Sequence, residues 1–163
     1  QIYRTIQVYR RNELKNFRSE DPKIDLAQRH YLAYVKCHHF HHKVYHRTEE
    51  TQLIHFAQVL RDFGEVSRFY AYWEPDCGVQ ALKPHPRFLY SVYTGKDRVL
   101  VIALNDTDMP IQNTLVFDHA KLKFPATEGT DVFLGQKYQL ENNRIFFDLP
   151  PRESRFVLFE GGK

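Results

Sequence analysis

At 163 residues the chain is long enough for one domain of ordinary size, or for a small domain with a substantial flanking piece. Its 42% apolar and 26% charged residues exclude wholesale disorder, and a formal charge of +3 carried by scattered basic residues excludes a nucleic-acid stripe. No apolar stretch is long enough to span a membrane, and the first residues read as mid-domain sequence, so the chain is expected to be a piece of a larger protein.

Residues Gln1–Phe17 fit a loose helical face through Ile2, Ile6, Tyr9 and Phe17, with Glu13-Leu14-Lys15 favouring helix. Asp21-Pro22 then starts a second helix, Asp as cap and Pro as first helical residue, and Ile24–Val35 supplies its apolar positions. Thr48-Glu49-Glu50 opens the clearest helix in the chain, with the glutamates at the dipole's positive end. Leu53, Phe56, Ala57, Leu60 and Phe63 share one face of it, and Gly64 ends it.

After the aromatic run Phe69-Tyr70-Ala71-Tyr72-Trp73 and the stiff connector Lys83-Pro84-His85-Pro86, strand signals dominate. Phe88–Tyr93 and Arg98–Leu104 form a hairpin across Thr94-Gly95-Lys96-Asp97, and Val99–Leu104 is an unbroken apolar run, the mark of a strand buried on both faces. Gln112–Phe117, Asp131–Leu134, Lys137–Leu140, Arg144–Leu149 and Arg155–Phe159 come next as short strands, with Asn142-Asn143 suited to a left-handed turn. The fold class is therefore mainly β: an antiparallel β-sandwich of immunoglobulin-like, Greek-key type over residues 67–163, preceded by an α-helical leader over 1–66.

Motifs for chemistry are sparse. There is no G-x-S-x-G elbow, phosphate loop or dinucleotide fingerprint, and no motif asks for a cofactor. Cys37 and Cys77 sit at unmatched positions and read as two thiols rather than a disulfide. The nearest carboxylate pairs, Glu49-Glu50, Glu74 with Asp76, and Asp106 with Asp108, are explained by helix-start and turn chemistry.

Phe69–Trp73, then Leu89-Tyr90-Ser91-Val92-Tyr93, then Val99–Asn105, then Ile145-Phe146-Phe147-Asp148-Leu149-Pro150-Pro151-Arg152 together resemble the β-sandwich that follows the catalytic (β/α)8 barrel of many glycoside hydrolases. Tyr31-Leu32-Ala33, the histidine-rich stretch and the amphipathic helix look like the last strand and helix of such a barrel. The resemblance implies a non-catalytic C-terminal accessory domain whose partner is the upstream barrel of the same parent, itself acting on a polysaccharide or oligosaccharide. The acid and nucleophile of such enzymes lie on earlier barrel strands, so no residue here is assigned catalysis. A secreted parent would place the chain outside the cytoplasm.

Two other readings rest on particular residues. Tyr70, Tyr72 and Trp73 are candidate carbohydrate contacts in an independent binding module, although burial against the leader accounts for the same rings more simply. His38, His39, His41 and His42 are candidate metal ligands, His38 and His42 sharing a face on a helix and His39 and His41 on a strand, without the second half of any zinc signature.

Overall fold

The computed structural model describes residues 22–38, 50–74, 77–123, 125 and 127–161, with side chains in the first two helices described from residues 26 and 55 onward. The expected helix at Gln1–Phe17 and the Thr48 cap lie outside the described residues. Helices α1 (Pro22–Cys37) and α2 (Glu50–Phe63) precede the strands β1 (Arg68–Tyr70), β2 (Val79–Ala81), β3 (Phe88–Thr94), β4 (Arg98–Asn105) and β5 (Ile111–Phe117). A single-turn helix α3 (His119–Leu122) leads to β6 (Glu128–Asp131), β7 (Lys137–Gln139), β8 (Arg144–Leu149) and β9 (Ser154–Glu160).

The strands form a six-stranded sheet in the order β1-β3-β4-β9-β6-β7 and a three-stranded sheet in the order β2-β5-β8. Every pairing is antiparallel. The sandwich expected from the strand spacing is the observed architecture. No described helix is long and apolar enough to cross a membrane.

Strand β4 explains why the run Val99–Leu104 contains no polar residue. Side chains alternate across a strand. Val99, Val101 and Ala103 therefore face the three-stranded sheet, where they join Val79, Leu115, Phe117, Ile145, Phe147 and Leu149 in the inter-sheet core. Leu100, Ile102 and Leu104 face the other way, into a second core with Leu32, Ala33 and Cys37 of α1, Phe56 and Phe63 of α2, Leu89 of β3 and Phe156 of β9. All six residues from Val99 to Leu104 are fully buried. The molecule thus has a helical layer, a six-stranded sheet and a three-stranded sheet.

Helix α2 lies on the sheet by the face its sequence suggested, with Ala57 the one described exception. Phe56 and Phe63 are buried and Val59 and Leu60 half-buried, whereas Ala57 is exposed. The bulky ring decides the rotation: Phe56 meets Phe156 edge-on at 5.6 Å and Tyr93 at 6.5 Å, contacts that a small Ala57 side chain cannot replace.

Three local differences have simple causes. Of the expected strand Asp131–Leu134 only Asp131 is in a strand, as the end of β6, and the next three residues turn because its carboxylate accepts from the Phe133 and Leu134 N–H groups at 2.9 and 2.8 Å and from Phe156 N–H at 3.0 Å. Strand β2 has three residues and carries no periodic signal. Helix α3 is set by one cap, Asp118, which accepts from Ala120 and Lys121 N–H. Asn142 and Asn143 take the left-handed conformation expected of them, at φ 51° and 61°.

The two faces of α2 can be told apart by mutation. Phe56→Ala is expected to cost about 3–5 kcal/mol in denaturant unfolding, the range for removing a buried ring. Ala57→Lys should stay within about 0.5 kcal/mol of the parent, as exposed substitutions do.

Candidate functional site

One stripe of α1 carries His30 and Tyr34 and continues to His38, the residue just after its end, whose N–H still bonds the Tyr34 carbonyl at 3.2 Å, so the three rings, four residues apart, line up. The stripe joins two groups of side chains, an ionic clasp around Asp106 and a cluster of aromatic rings around His38.

The clasp forms where the chain passes twice between the sheets, from β4 to β5 and from β8 to β9. Asn105 ends β4 fully buried, and its amide nitrogen lies 2.8, 3.0 and 2.9 Å from the carbonyls of Met109, Leu149 and Pro150. Its amide oxygen accepts from Thr107 N–H at 2.9 Å, which folds the first crossover. Asp106, only 9% exposed, accepts from Arg87 Nη1 at 2.7 Å on one oxygen and from Arg152 Nη1 at 2.8 Å on the other. Arg152 also donates from Nε to Asp108 at 3.0 Å, and its backbone is left-handed at φ 60°. That conformation is costly for a residue with a Cβ, and it is held here by the Arg152 N–H bond to the Thr107 carbonyl at 3.1 Å.

Helix α1 docks onto this clasp with charge. His30 Nδ1 donates to the Arg152 carbonyl at 2.9 Å, which leaves Nε2 as the unprotonated nitrogen of the neutral ring, 3.8 Å from Asp106. The neighbouring Arg29, 7% exposed, lies 3.7 Å from Glu153, which also accepts from Arg155 at 2.6 Å. Burial pushes the His30 imidazole below its ordinary 6.5. The Arg152 carbonyl and the Asp106 and Glu153 carboxylates pull the other way, and the Arg152 guanidinium adds to the lowering.

At the other end of the stripe, Tyr34 stacks on His38 with centroids 4.3 Å apart, and His38 Nδ1 donates to the Tyr34 carbonyl at 2.8 Å. Tyr72 meets His38 edge-on at 4.9 Å, and Trp73 lies 4.9 Å from Tyr72 and 6.0 Å from His38. The turn that presents these rings is held by Glu74, whose carboxylate accepts from Ala71 N–H at 3.3 Å and whose own N–H donates to the Ala71 carbonyl at 2.9 Å. Burial first, then the Asp106 and Tyr72 groups, push the Tyr34 phenol up, while Arg87 opposes them.

The expected carbohydrate contacts are divided by this arrangement. Tyr72 and Trp73 are 37% and 55% exposed. Tyr70 is half-buried at the edge of the inter-sheet core with Arg68 4.5 Å over its ring, apart from the cluster. Tyr70 is thus covered by the inter-sheet core and not by the leader, while Tyr72 and Trp73 meet the leader at His38 and a turn after β1 leaves them partly open. Of the expected metal ligands, His38 is in the ring cluster, and His39, His41 and His42 lie outside the described residues. Among the described residues no three His, Cys, Asp or Glu side chains gather as a metal site would require.

Both cysteines are buried thiols and form no disulfide with each other, as the spacing suggested. Cys37 lies in the helix–sheet core with its thiol pushed up to about 12 by burial, and Cys77 lies in the inter-sheet core. Neither has the exposed, electropositive setting of a reactive thiolate. The clasp was missed in the sequence because Asp106 and Asp108 read as turn residues; its partners Arg87, Arg152 and His30 lie 19, 46 and 76 residues away, and only the fold assembles them.

No protein-family model matches the chain, and no curated protein matches it. Its fold is similar to parts of several solved glycoside hydrolases. An Anoxybacillus alpha-amylase is 14% identical over 52% of this chain and 18% of its own, with a TM-score of 0.41. A GH27 β-L-arabinopyranosidase from Geobacillus stearothermophilus is 13% identical over 52% of this chain and 20% of its own, with a TM-score of 0.42. A GH30 endoxylanase from Clostridium papyrosolvens C71 is 14% identical over 48% of this chain and 22% of its own, with a TM-score of 0.41. The likeness thus takes in about half of this chain and about a fifth of each enzyme.

The clasp makes stability depend on pH in a stated direction. Because the folded chain holds His30 below 6.5, the unfolded chain binds that proton first. Stability from this group is intact above about pH 6.5 and falls as the pH drops below it. His30→Asn keeps a donor for the Arg152 carbonyl and cannot titrate, so its melting temperature should fall less than the parent's between about pH 7 and pH 5. Identical slopes would show that His30 contributes nothing.

Proposed function

We propose that this chain is the C-terminal accessory β-sandwich, with the last helical part of the preceding barrel, of a glycoside-hydrolase-like protein acting on a polysaccharide or oligosaccharide. Its work is mechanical: the sandwich offers one greasy sheet face to the helices that arrive from the barrel and fixes where they end. The single observation that carries this reading is the second core, in which Leu100, Ile102 and Leu104 of β4 are fully buried beneath α1 and α2. A free-standing sandwich has no use for a six-stranded sheet that is apolar on both faces.

The polar chemistry supports the same reading. Among the described residues, the buried carboxylates Asp106 and Asp131 are both engaged in holding backbone and arginine groups together. Arg29 and His30 bring the same logic to the helix, which is latched to the crossovers as well as pressed on the sheet.

Two measurements test the proposal. Residues 67–163 expressed without the leader should melt well below the full chain and bind an apolar dye, since uncovering side chains such as Leu100, Ile102, Leu104 and Phe156 forfeits about 1.5–3 kcal/mol each. A truncated piece that melts with the full chain removes the packing role. The parent gene should encode, upstream of Gln1, a barrel with two carboxylates at strand ends. An unrelated upstream sequence removes the glycoside-hydrolase assignment and leaves the packing role standing.

A further inference from the structure

The ring cluster at the end of α1 has a shape and a polarity that a scaffold does not need. The geometry points to a surface carbohydrate site in which Trp73 and Tyr72 stack on the flat C–H face of a neutral pyranose, with the hydroxyls of Tyr72 and Tyr34 at its rim. This site goes beyond the packing role and does not depend on it, because every residue it uses belongs to this chain.

Three observations carry the assignment. The first is rigidity. Trp73 and Tyr72 stand edge-to-face at 4.9 Å, Tyr72 rests on His38 at 4.9 Å, and His38 is itself stacked on Tyr34 and hydrogen-bonded to its carbonyl. A platform already in place loses little side-chain entropy when a ligand covers it.

The second is area. Trp and Tyr side chains present about 150–250 Å² each, so with Trp73 55% and Tyr72 37% exposed the open ring surface is roughly 200 Å². That is about a quarter of the surface one partner contributes to a stable protein interface. It is the footprint of one or two sugar rings, not of a docked domain.

The third is charge. Among the described residues, Arg87 and Arg152, the cations of the clasp at the other end of the stripe, are both engaged on Asp106 at 2.7 and 2.8 Å. An anionic ligand would have to compete with Asp106 for these two guanidinium groups, whereas a neutral, hydroxyl-rich ligand needs no counter-charge.

Trp73 is the only tryptophan in the chain, so its emission reports this site directly. The intact chain should be titrated with maltooligosaccharide, cellooligosaccharide and xylooligosaccharide, following emission and, in parallel, the heat of binding. A saturable emission change with at least one of them is expected. By calorimetry, Trp73→Ala and Tyr72→Ala should weaken that binding by about tenfold or more, with far-ultraviolet circular dichroism unchanged. Phe146→Ala removes an equally exposed ring, 56% open on β8, and should leave binding as it was. Silence with all three sugars overturns the proposal. So does equal weakening by Phe146→Ala, which marks non-specific stickiness, or an emission shift produced only by added upstream polypeptide, which marks a protein contact.

Discussion

The interaction on which the rest of the structure depends is the buried amide of Asn105. Of the passages between the two sheets, those from β4 to β5 and from β8 to β9 both bring backbone carbonyls to one buried side chain. One side-chain amide reaches Met109 in the first loop and Leu149 and Pro150 in the second. Without it the buried Leu149 carbonyl would lose this donor at about 1–3 kcal/mol, while the Met109 and Pro150 carbonyls keep the Thr107 hydroxyl and the Glu153 N–H. The same amide fixes where its chain neighbour lands. Asp106 is delivered between Arg87 and Arg152, and the arginines in turn stand where α1 arrives with Arg29 and His30.

The helical layer is therefore held in two chemically different ways. Over the middle of the sheet the contact is apolar, Leu32, Ala33, Cys37, Phe56 and Phe63 against Leu89, Leu100, Ile102, Leu104 and Phe156, which gives strength without direction. Along one edge the contact is ionic and hydrogen-bonded, which gives direction at some cost in desolvation. A helix on a purely apolar face is free to slide or rotate; one whose Arg29 and His30 have fixed partners is not. That division of labour explains why two charged or titratable side chains are buried on a helix whose other inward residues are small or apolar.

Much of the fold was legible because it is written locally. The unbroken run at Val99–Leu104, the turn residues between strands and the paired asparagines each encode their geometry within a few residues, and each formed as expected. The failures share the opposite property. The exposure of Ala57 on α2 depends on which ring finds a partner on β9, the turn after Asp131 depends on a carboxylate that also serves Phe156, and the clasp at Asp106 depends on groups from four separate segments. Tyr70, Tyr72 and Trp73 looked alike as a sequence of large rings, and only the turn after β1 separates the one that is covered from the two that are not.

Strand β4 has a further consequence. It is paired along its length with β3 on one side and β9 on the other, and it is covered above and below by separate cores. No local opening can expose its peptide groups to solvent, since either flank and either cover would have to leave first. Its amide protons should accordingly exchange with deuterium only when the whole molecule opens, so the lifetime of those protons measures the free energy of the complete three-layer assembly.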